Sequence, residues 1–304
     1  MEKKDTQKTD DFRLIYNKKH EVIMYSGTLA LEAALRIAGF ENGERILINN
    51  LACYSVLQAI INAGCIPVLM QPSEFQVVLD VSRVIDAIYK YDIKGFIAIH
   101  QFGIYQEIEE IKLSCPDIKI IEDVSQAWDI ISPSNVNHKF SDYIVFSLGK
   151  TKPLGLGIGG VLLTDDNTIY EMIDTKDRSS RYKNSKLILY MMPSEYEIHI
   201  PDLIRNATQK NYTQKQNAQH YEQLLKNYTM VHLIEEKDGY QYTWHRYPIF
   251  VDYYNESCLQ EILCANDIRY QKEFSILLNQ LEISDNYLFV GERSRYITYL
   301  LRTQ

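Results

Sequence analysis

Short apolar runs rich in β-branched residues alternate with amphipathic segments throughout residues 21–166, and this alternation is the strongest constraint on the fold. It is typical of a mostly parallel sheet covered by helices on both faces, so it predicts the α/β class. The predicted strands are residues 45–48, 66–69, 95–100, 118–122, 143–147 and 160–164. The predicted helices are residues 29–38, 54–63, 81–91 and 108–114.

The pattern changes after Asp166, where β-branched runs become fewer. A polar stretch at residues 175–185, rich in Lys, Arg and Ser, is interpreted as a loop or a partner-contacting segment. Beyond it, the pattern predicts a helix, a strand and a second helix at residues 211–227, 242–252 and 257–265. We therefore expect a large α/β domain of residues 22–200 and a smaller α+β domain of residues 1–21 and 201–304.

Composition argues against several classes of protein. The net charge is −8 and the basic residues are scattered, which argues against a nucleic-acid partner. The five cysteines lack the spacing of a zinc site and suit reduced thiols in a cytoplasm, so we expect no metal. No segment approaches the roughly 18 apolar residues that a membrane span requires, and the charged N-terminus is unlike a signal peptide. We therefore expect a cytoplasmic protein that makes no membrane contact.

A carboxylate and a lysine each follow a predicted strand. Asp123 follows the apolar run 118–122, and Lys152 lies in the glycine-rich stretch after strand 143–147. The carboxyl ends of parallel strands share one edge of the sheet, where open α/β folds bind ligands. Pyridoxal phosphate needs such a pair, a lysine amine that holds its aldehyde as a Schiff base and an acid that keeps its ring nitrogen protonated. Lys152 and Asp123 are therefore the candidate catalytic residues. Lys150 competes with Lys152, and the alternative for either lysine is a solvated loop residue. The alternative for Asp123 is a helix cap at the turn that follows its strand.

The Ser26-Gly27-Thr28 turn precedes the first strongly predicted helix. Its backbone N–H groups and the Thr28 hydroxyl would meet an anion at the positive end of that helix. The alternative is an ordinary helix cap. Ser147, at the end of its strand, could add a hydroxyl to the same anion or make only a local hydrogen bond.

Five motifs occur in an order that resembles a known family. They are YSGTLAL at residues 25–31, AGCIPV at 63–68, IHQFG at 99–103, IEDVSQA at 121–127, and SLGKTKPLGLGIGG at 147–160. Together they resemble the DegT/StrS sugar aminotransferases, which are fold-type-I enzymes dependent on pyridoxal 5'-phosphate. The resemblance covers roughly residues 22–166. It implies a mostly parallel central sheet with helices on both faces and a smaller α+β C-terminal domain.

The resemblance also implies roles for individual residues. Gln126 matches the residue that hydrogen-bonds the ring hydroxyl, and His100 matches a family histidine, either catalytic or structural. An aromatic residue covers the cofactor ring in the family, but counting back from Gly64 puts Cys53 at that position and Tyr54 one step late. The implied cofactor-binding residues are Gly27, Thr28, Tyr54, Asp123, Gln126, Ser147 and Lys152.

The chain departs from the family in several places. The family sequence Gly-Glu-Gly-Gly reads GIGG at residues 157–160, and an arginine-rich motif expected near residues 195–205 is replaced by EYEIHI at residues 195–200. The chain is also shorter than typical members. These departures affect residues that would contact the substrate or a second subunit more than residues that would hold the cofactor.

The resemblance implies an aminotransferase that moves an amino group from an amino acid, glutamate or glutamine, to a keto-sugar. By resemblance the sugar is linked to a nucleotide, the pathway makes a polysaccharide or a secondary metabolite, and the enzyme is a homodimer. One alternative is another pyridoxal phosphate reaction on a small amine, such as elimination, decarboxylation or carbon–carbon bond chemistry. A second is a binding protein without turnover, although a dead site has no physical need for Asp123, Gln126, Ser147 and Lys152 together.

Overall fold

A computed structural model describes residues 11–135, 138–169, 191–273, 287–290 and 296–302 of the chain. Its strands are β1 His20–Met24, β2 Arg45–Asn49, β3 Ile66–Met70, β4 Ile93–Ile99, β5 Lys119–Asp123, β6 Tyr143–Ser147, β7 Gly160–Thr164, β8 Val231–Leu233, β9 Tyr247–Asp252, β10 Tyr270–Glu273, β11 Leu288–Val290 and β12 Tyr296–Leu301. Its helices are α1 Phe12–Tyr16, α2 Gly27–Ile37, α3 Tyr54–Asn62, α4 Val81–Lys90, α5 Glu109–Ser114, α6 Ser194–Glu197, α7 Ile200–Leu225 and α8 Glu256–Ala265.

Among the described residues, eight strands form a central sheet in the order β1-β7-β6-β5-β4-β2-β3-β11. In this order, each strand from β6 through β5, β4, β2 and β3 to β11 is parallel to the next one. Strand β7 is antiparallel to both of its neighbours, β1 and β6. The carboxyl ends of β4, β5 and β6 therefore meet at one edge. The predicted fold class, a mostly parallel sheet with helices on both faces, is confirmed.

Apolar side chains alternate between the two faces of this sheet, as the pleat of a strand requires. Ile46 and Ile48 of β2 pack in the cluster that contains α2 and α3, whereas Leu47 packs in the cluster that contains α4 and α5. Because both faces are covered, both sets of residues are apolar. This burial explains why the strands read as continuous apolar runs rather than as alternating ones.

A smaller antiparallel sheet has the order β10-β12-β9-β8. Apolar residues of β9, α7 and α8 share one core cluster with α1 and with Phe146 of β6. The chain then returns to the central sheet, where β11 pairs in parallel with β3. The division into domains of residues 22–200 and residues 1–21 with 201–304 stays a prediction.

The predicted elements match closely in the first half of the chain. Strands 143–147 and 160–164 have the predicted bounds, and the other predicted strands and helices of residues 29–164 differ by two residues at most. Helix α7 begins at Ile200 rather than at residue 211, because Ile204 and Ala207 continue its buried face. Strand β9 begins at Tyr247 rather than at residue 242, because Trp244 has a φ of 48° and interrupts the extended backbone. The polar stretch 175–185 lies outside the described residues.

A buried polar network surrounds Glu122, near the carboxyl end of β5. Glu122 is fully buried and accepts hydrogen bonds from Asn135 Nδ2 at 2.7 Å and Ser141 Oγ at 3.3 Å, and its Oε2 lies 2.5 Å from His138 Nδ1. Burial acts to raise the pKa of Glu122, but the adjacent His138, together with His100, holds that pKa well below its ordinary value of 4.5. The network ties Asn135, His138 and Ser141, which follow β5 in the chain, to Glu122 within that strand.

We predict that Glu122→Gln lowers the free energy of unfolding at pH 7 by about 1–3 kcal/mol, because it removes a buried carboxylate oxygen that the side chains of His138, Asn135 and Ser141 contact. Since the pKa of Glu122 is lower in the folded than in the unfolded chain, its contribution is present above about pH 4.5 and is lost as the pH falls. In urea titrations between pH 3 and pH 7, the free energy of unfolding should therefore fall less with decreasing pH in the variant than in the wild type.

Asp92→Asn is the matched control, because it also changes a carboxylate to an amide but in an exposed pair with Lys94. We expect no measurable change from it. Equal losses in the two variants would mean that the Glu122 network does not stabilise the fold.

Candidate functional site

A cleft opens at the carboxyl edge of β4, β5 and β6, beside the first turn of α2. It brings together six of the seven residues predicted to bind a cofactor. These are Gly27, Thr28, Asp123, Gln126, Ser147 and Lys152.

The first turn of α2 is packed unusually closely against the sheet. A Cβ atom at Gly160 would lie 2.4 Å from the carbonyl carbon and oxygen of Ser26, and one at Gly27 would lie 2.7 Å from Ser147 Cβ. Both positions therefore require glycine. The close packing puts the N–H groups of a helix start next to the Ser147 hydroxyl, an arrangement that suits a phosphate group.

Ser26 and Ser147 also make local hydrogen bonds. Ser26 Oγ accepts from the Leu29 N–H at 3.2 Å, so Ser26 caps α2, as the alternative interpretation of this turn predicted. Ser147 Oγ accepts from the Gly149 N–H at 3.1 Å, which leaves its own O–H as a donor for a ligand. Gly27, Thr28 and Ser147 still line the cleft.

Asp123 ends β5 on the cleft side and is 8% exposed. Its Oδ1 accepts from the Ser125 N–H at 2.9 Å, and no cationic side chain pairs with it in the part of the chain that the structure describes. A buried carboxylate is costly unless a cation or several donors compensate it. The site therefore fits a ligand that brings a positively charged N–H group, such as a protonated pyridine ring.

Gln126 is oriented by a backbone contact. Its Oε1 accepts from the Phe102 N–H at 2.9 Å. Because this bond engages the carbonyl end, the NH2 group is the end that can donate to a ligand in the cleft. This orientation fits the implied contact with a ring hydroxyl.

Lys152 and Lys150 occupy different positions on one tight loop. The loop is fixed by backbone hydrogen bonds from Leu148 N to Gly159 O at 2.9 Å and from Gly157 N to Leu148 O at 2.8 Å. Lys152 is half-buried and lines the cleft, whereas Lys150 is exposed and does not line it. The geometry therefore favours Lys152 as the reactive lysine.

The structure brings Cys53 rather than Tyr54 into the cleft. Tyr54 is 53% exposed, and its hydroxyl donates to Gln58 Oε1 at 3.0 Å on the outer side of α3. No other aromatic side chain lines the cleft among the described residues.

His100 does not line the cleft. It is fully buried, its Nδ1 accepts from the Gln106 N–H at 3.0 Å, and its Nε2 lies 3.8 Å from Glu122 Oε1. Its ring also stacks on Tyr105 with the ring centres 4.8 Å apart. These contacts favour the structural reading of His100.

Two features of the site were missed by sequence reasoning. Gln101 lines the cleft, and its place two residues after the end of strand β4 was a signal that could have identified it. His245 was predicted only as part of a strand. Burial lowers its pKa to about 3, and the positive charges of Arg246, Lys152 and Lys210 contribute, so His245 is a neutral residue near Lys152.

Comparisons with known proteins identify a family for this chain. A model of the DegT/DnrJ/EryC1/StrS aminotransferase family matches residues 9–293. Protein MosB of Rhizobium meliloti is 30% identical over 148 residues, which is 47% of this chain and 29% of that protein. GDP-perosamine synthase of Vibrio cholerae is 24% identical over 183 residues, which is 59% of this chain and 47% of that protein. The chain thus spans about half the length of these curated relatives or less.

The fold is that of a solved DegT DnrJ EryC1 StrS aminotransferase from Brucella abortus. The two structures superpose with a TM-score of 0.80 at 18% sequence identity, covering 96% of this chain and 83% of that one. No helix within the described residues is long and apolar enough to cross a membrane. The same residues contain no group of three or more His, Cys, Asp or Glu side chains that could hold a metal ion.

We predict that Gly160→Ala lowers the free energy of unfolding by about 1–3 kcal/mol, because the added Cβ meets backbone atoms of Ser26 that cannot rotate away. Urea titration measures this loss. Gly95→Ala is the control, because its Cβ meets the outer atoms of Phe40 and Ile46 side chains, which can move, so we expect a smaller loss. A Gly160→Ala variant as stable as the wild type would contradict the close packing.

Proposed function

Because this chain belongs to the DegT/DnrJ/EryC1/StrS aminotransferase family, we propose that it is an aminotransferase dependent on pyridoxal 5'-phosphate. In this proposal the amino group comes from an amino acid, glutamate or glutamine, and the acceptor is a keto-sugar linked to a nucleotide. The observation that carries the proposal is a buried carboxylate, Asp123, and a lysine, Lys152, in one cleft beside a helix start suited to phosphate.

When bound, pyridoxal phosphate supplies an aldehyde that reacts with amines and a ring that accepts electrons from the substrate carbon. The first turn of α2 and the Ser147 hydroxyl hold the phosphate group. Asp123 keeps the proton on the ring nitrogen, and Gln126 donates to the ring hydroxyl. The phosphate and the ring are therefore held at opposite ends, which fixes the orientation of the reacting carbon.

Lys152 has two roles in this proposal. With the cofactor bound, its amine would hold the aldehyde carbon. When that amine is free, it would carry a proton between the substrate carbon and the cofactor carbon, as a base and then as an acid. The half-buried position of Lys152 at the cleft suits both roles.

The choice of acceptor is supported by relatives whose names describe sugar chemistry, such as the perosamine synthase of Vibrio cholerae. We propose an acceptor of the same class for this chain, a keto-sugar linked to a nucleotide. Its aminated product would be used to make a polysaccharide or a secondary metabolite. The proposal includes a homodimer and a cytoplasmic location, both of which the family resemblance supports.

We predict that purified protein mixed with pyridoxal phosphate develops a visible absorbance band that borohydride abolishes. Lys152→Ala should lose this band, because the lysine that holds the cofactor is gone, whereas Lys150→Ala should keep it. Adding glutamate to the wild type should bleach the band and release 2-oxoglutarate in a stoichiometric amount.

Lys150→Ala is the matched control, since it removes an equal charge two residues away on the same loop. Loss of the band with Lys150→Ala alone would assign the reactive lysine to Lys150. A band without bleaching by glutamate or glutamine would favour another reaction on the same cofactor, and no band with any protein would leave a binding role as the better account.

We predict that Asp123→Asn keeps the visible band but slows the bleaching by glutamate about 100-fold or more, because a neutral amide does not hold the proton on the ring nitrogen. Stopped-flow absorbance measures this rate. Asp86→Asn on the exposed side of α4 is the control and should leave the rate unchanged. An unchanged rate in Asp123→Asn would exclude this role.

A further inference from the structure

Cys53 occupies the part of the cleft where the family places an aromatic ring. It immediately precedes α3, and its side chain is exposed and makes no capping hydrogen bond to that helix. It lines the same cleft as Asp123 and Lys152. The thiol is therefore accessible from the cleft and is not engaged in the local structure of the helix.

The segment that carries Cys53 is held in place by two buried side chains. Asn49 Oδ1 accepts from the Leu51 N–H at 2.8 Å, and Asn49 Nδ2 donates to the Val77 carbonyl at 2.7 Å. Gln101 Nε2 donates to the Leu51 carbonyl at 3.1 Å. The sulfur is thus presented by a fixed backbone.

Gln101 gives an independent sign that a ligand reaches this side of the cleft. Its side chain lines the cleft although the residue is only 3% exposed. Its amide nitrogen is engaged by Leu51, and no donor in the described part of the chain contacts its Oε1. The amide oxygen of this otherwise buried residue can therefore accept a hydrogen bond from a ligand in the cleft.

We propose that the Cys53 thiol lies against the bound cofactor and is a modification site for thiol-directed electrophiles that the cofactor protects. The inference rests on the proposed function. With iodoacetamide, the sulfur attacks the carbon that bears iodine, so an S–C bond forms and the C–I bond breaks. Iodide leaves with the electron pair, and the thiol proton passes to solvent. The added group then occupies the space of the cofactor.

The chain provides its own controls for reactivity. Cys258 and Cys264 are exposed on α8, away from the cleft. Cys65 and Cys115 are buried, and burial raises the pKa of the Cys65 thiol to about 11, which keeps it unreactive. Only Cys53 should respond to the cofactor.

The test measures the alkylation rate of each cysteine by mass spectrometry of the full chain, without pyridoxal phosphate and with it at about ten times its dissociation constant. At that concentration about one site in eleven is empty, so we expect Cys53 to react about tenfold more slowly, with Cys258 and Cys264 unchanged. The visible absorbance band is recorded in the same samples.

A normal band with no protection of Cys53 would overturn this proposal and leave the proposed function intact. Absence of the band would overturn both. Protection that extends equally to Cys258 and Cys264 would indicate a general change of the fold and would also overturn the proposal.

The reciprocal experiment uses Cys53→Ser, which keeps the size of the side chain but does not react. After treatment with iodoacetamide, the wild type should lose the band formed on adding pyridoxal phosphate, whereas treated Cys53→Ser should keep it. Loss in both proteins would assign the effect to another cysteine, and loss in neither would place the Cys53 sulfur away from the cofactor. Either result would overturn the proposal.

Discussion

The site depends on one close backbone contact, between the first turn of α2 and Gly160 of β7. A side chain at position 160 would collide with the Ser26 carbonyl, so glycine is required for the turn to lie there. Because Gly160 pairs with Ser147 across β7 and β6, the same contact fixes the helix start relative to the loop that carries Lys152. The positive end of the helix, the serine hydroxyl and the lysine therefore meet at one cleft because the backbone places their residues beside one another.

Two consecutive carboxylates at the end of β5 have opposite environments. Glu122 lies on the face covered by α4 and α5 and is surrounded by donors from Asn135, His138 and Ser141. Asp123 lies on the other face, as the pleat requires, and has one backbone donor. The carboxylate of Glu122 is compensated by these donors, whereas that of Asp123 lines the cleft with room for a further donor. The two residues thus contribute a buried network on one face of the sheet and a cleft on the other.

Much of the fold could be predicted from the sequence because the central strands are buried on both faces, which produces unbroken apolar runs such as Ile120–Ile121 in β5. The end of the chain gave no such signal. Strand β11 has only three residues, and its pairing with β3 joins positions that are more than 200 residues apart in sequence. The left-handed backbone at Trp244, which lies against Gly103, likewise has no signal in the local residue preference.

The site residues that follow strands could be predicted because a strand end fixes where its side chain emerges, as for Asp123 and Ser147. Cys53 and Tyr54 could not be separated in this way, since they flank the start of a helix. Successive residues of a helix are turned by about 100°, so moving the aromatic ring one step along the chain rotates it out of the cleft. Tyr54 accordingly points to Gln58 on the outer side of α3. A one-residue displacement therefore leaves the Tyr54 ring outside the cleft, which Cys53 lines instead.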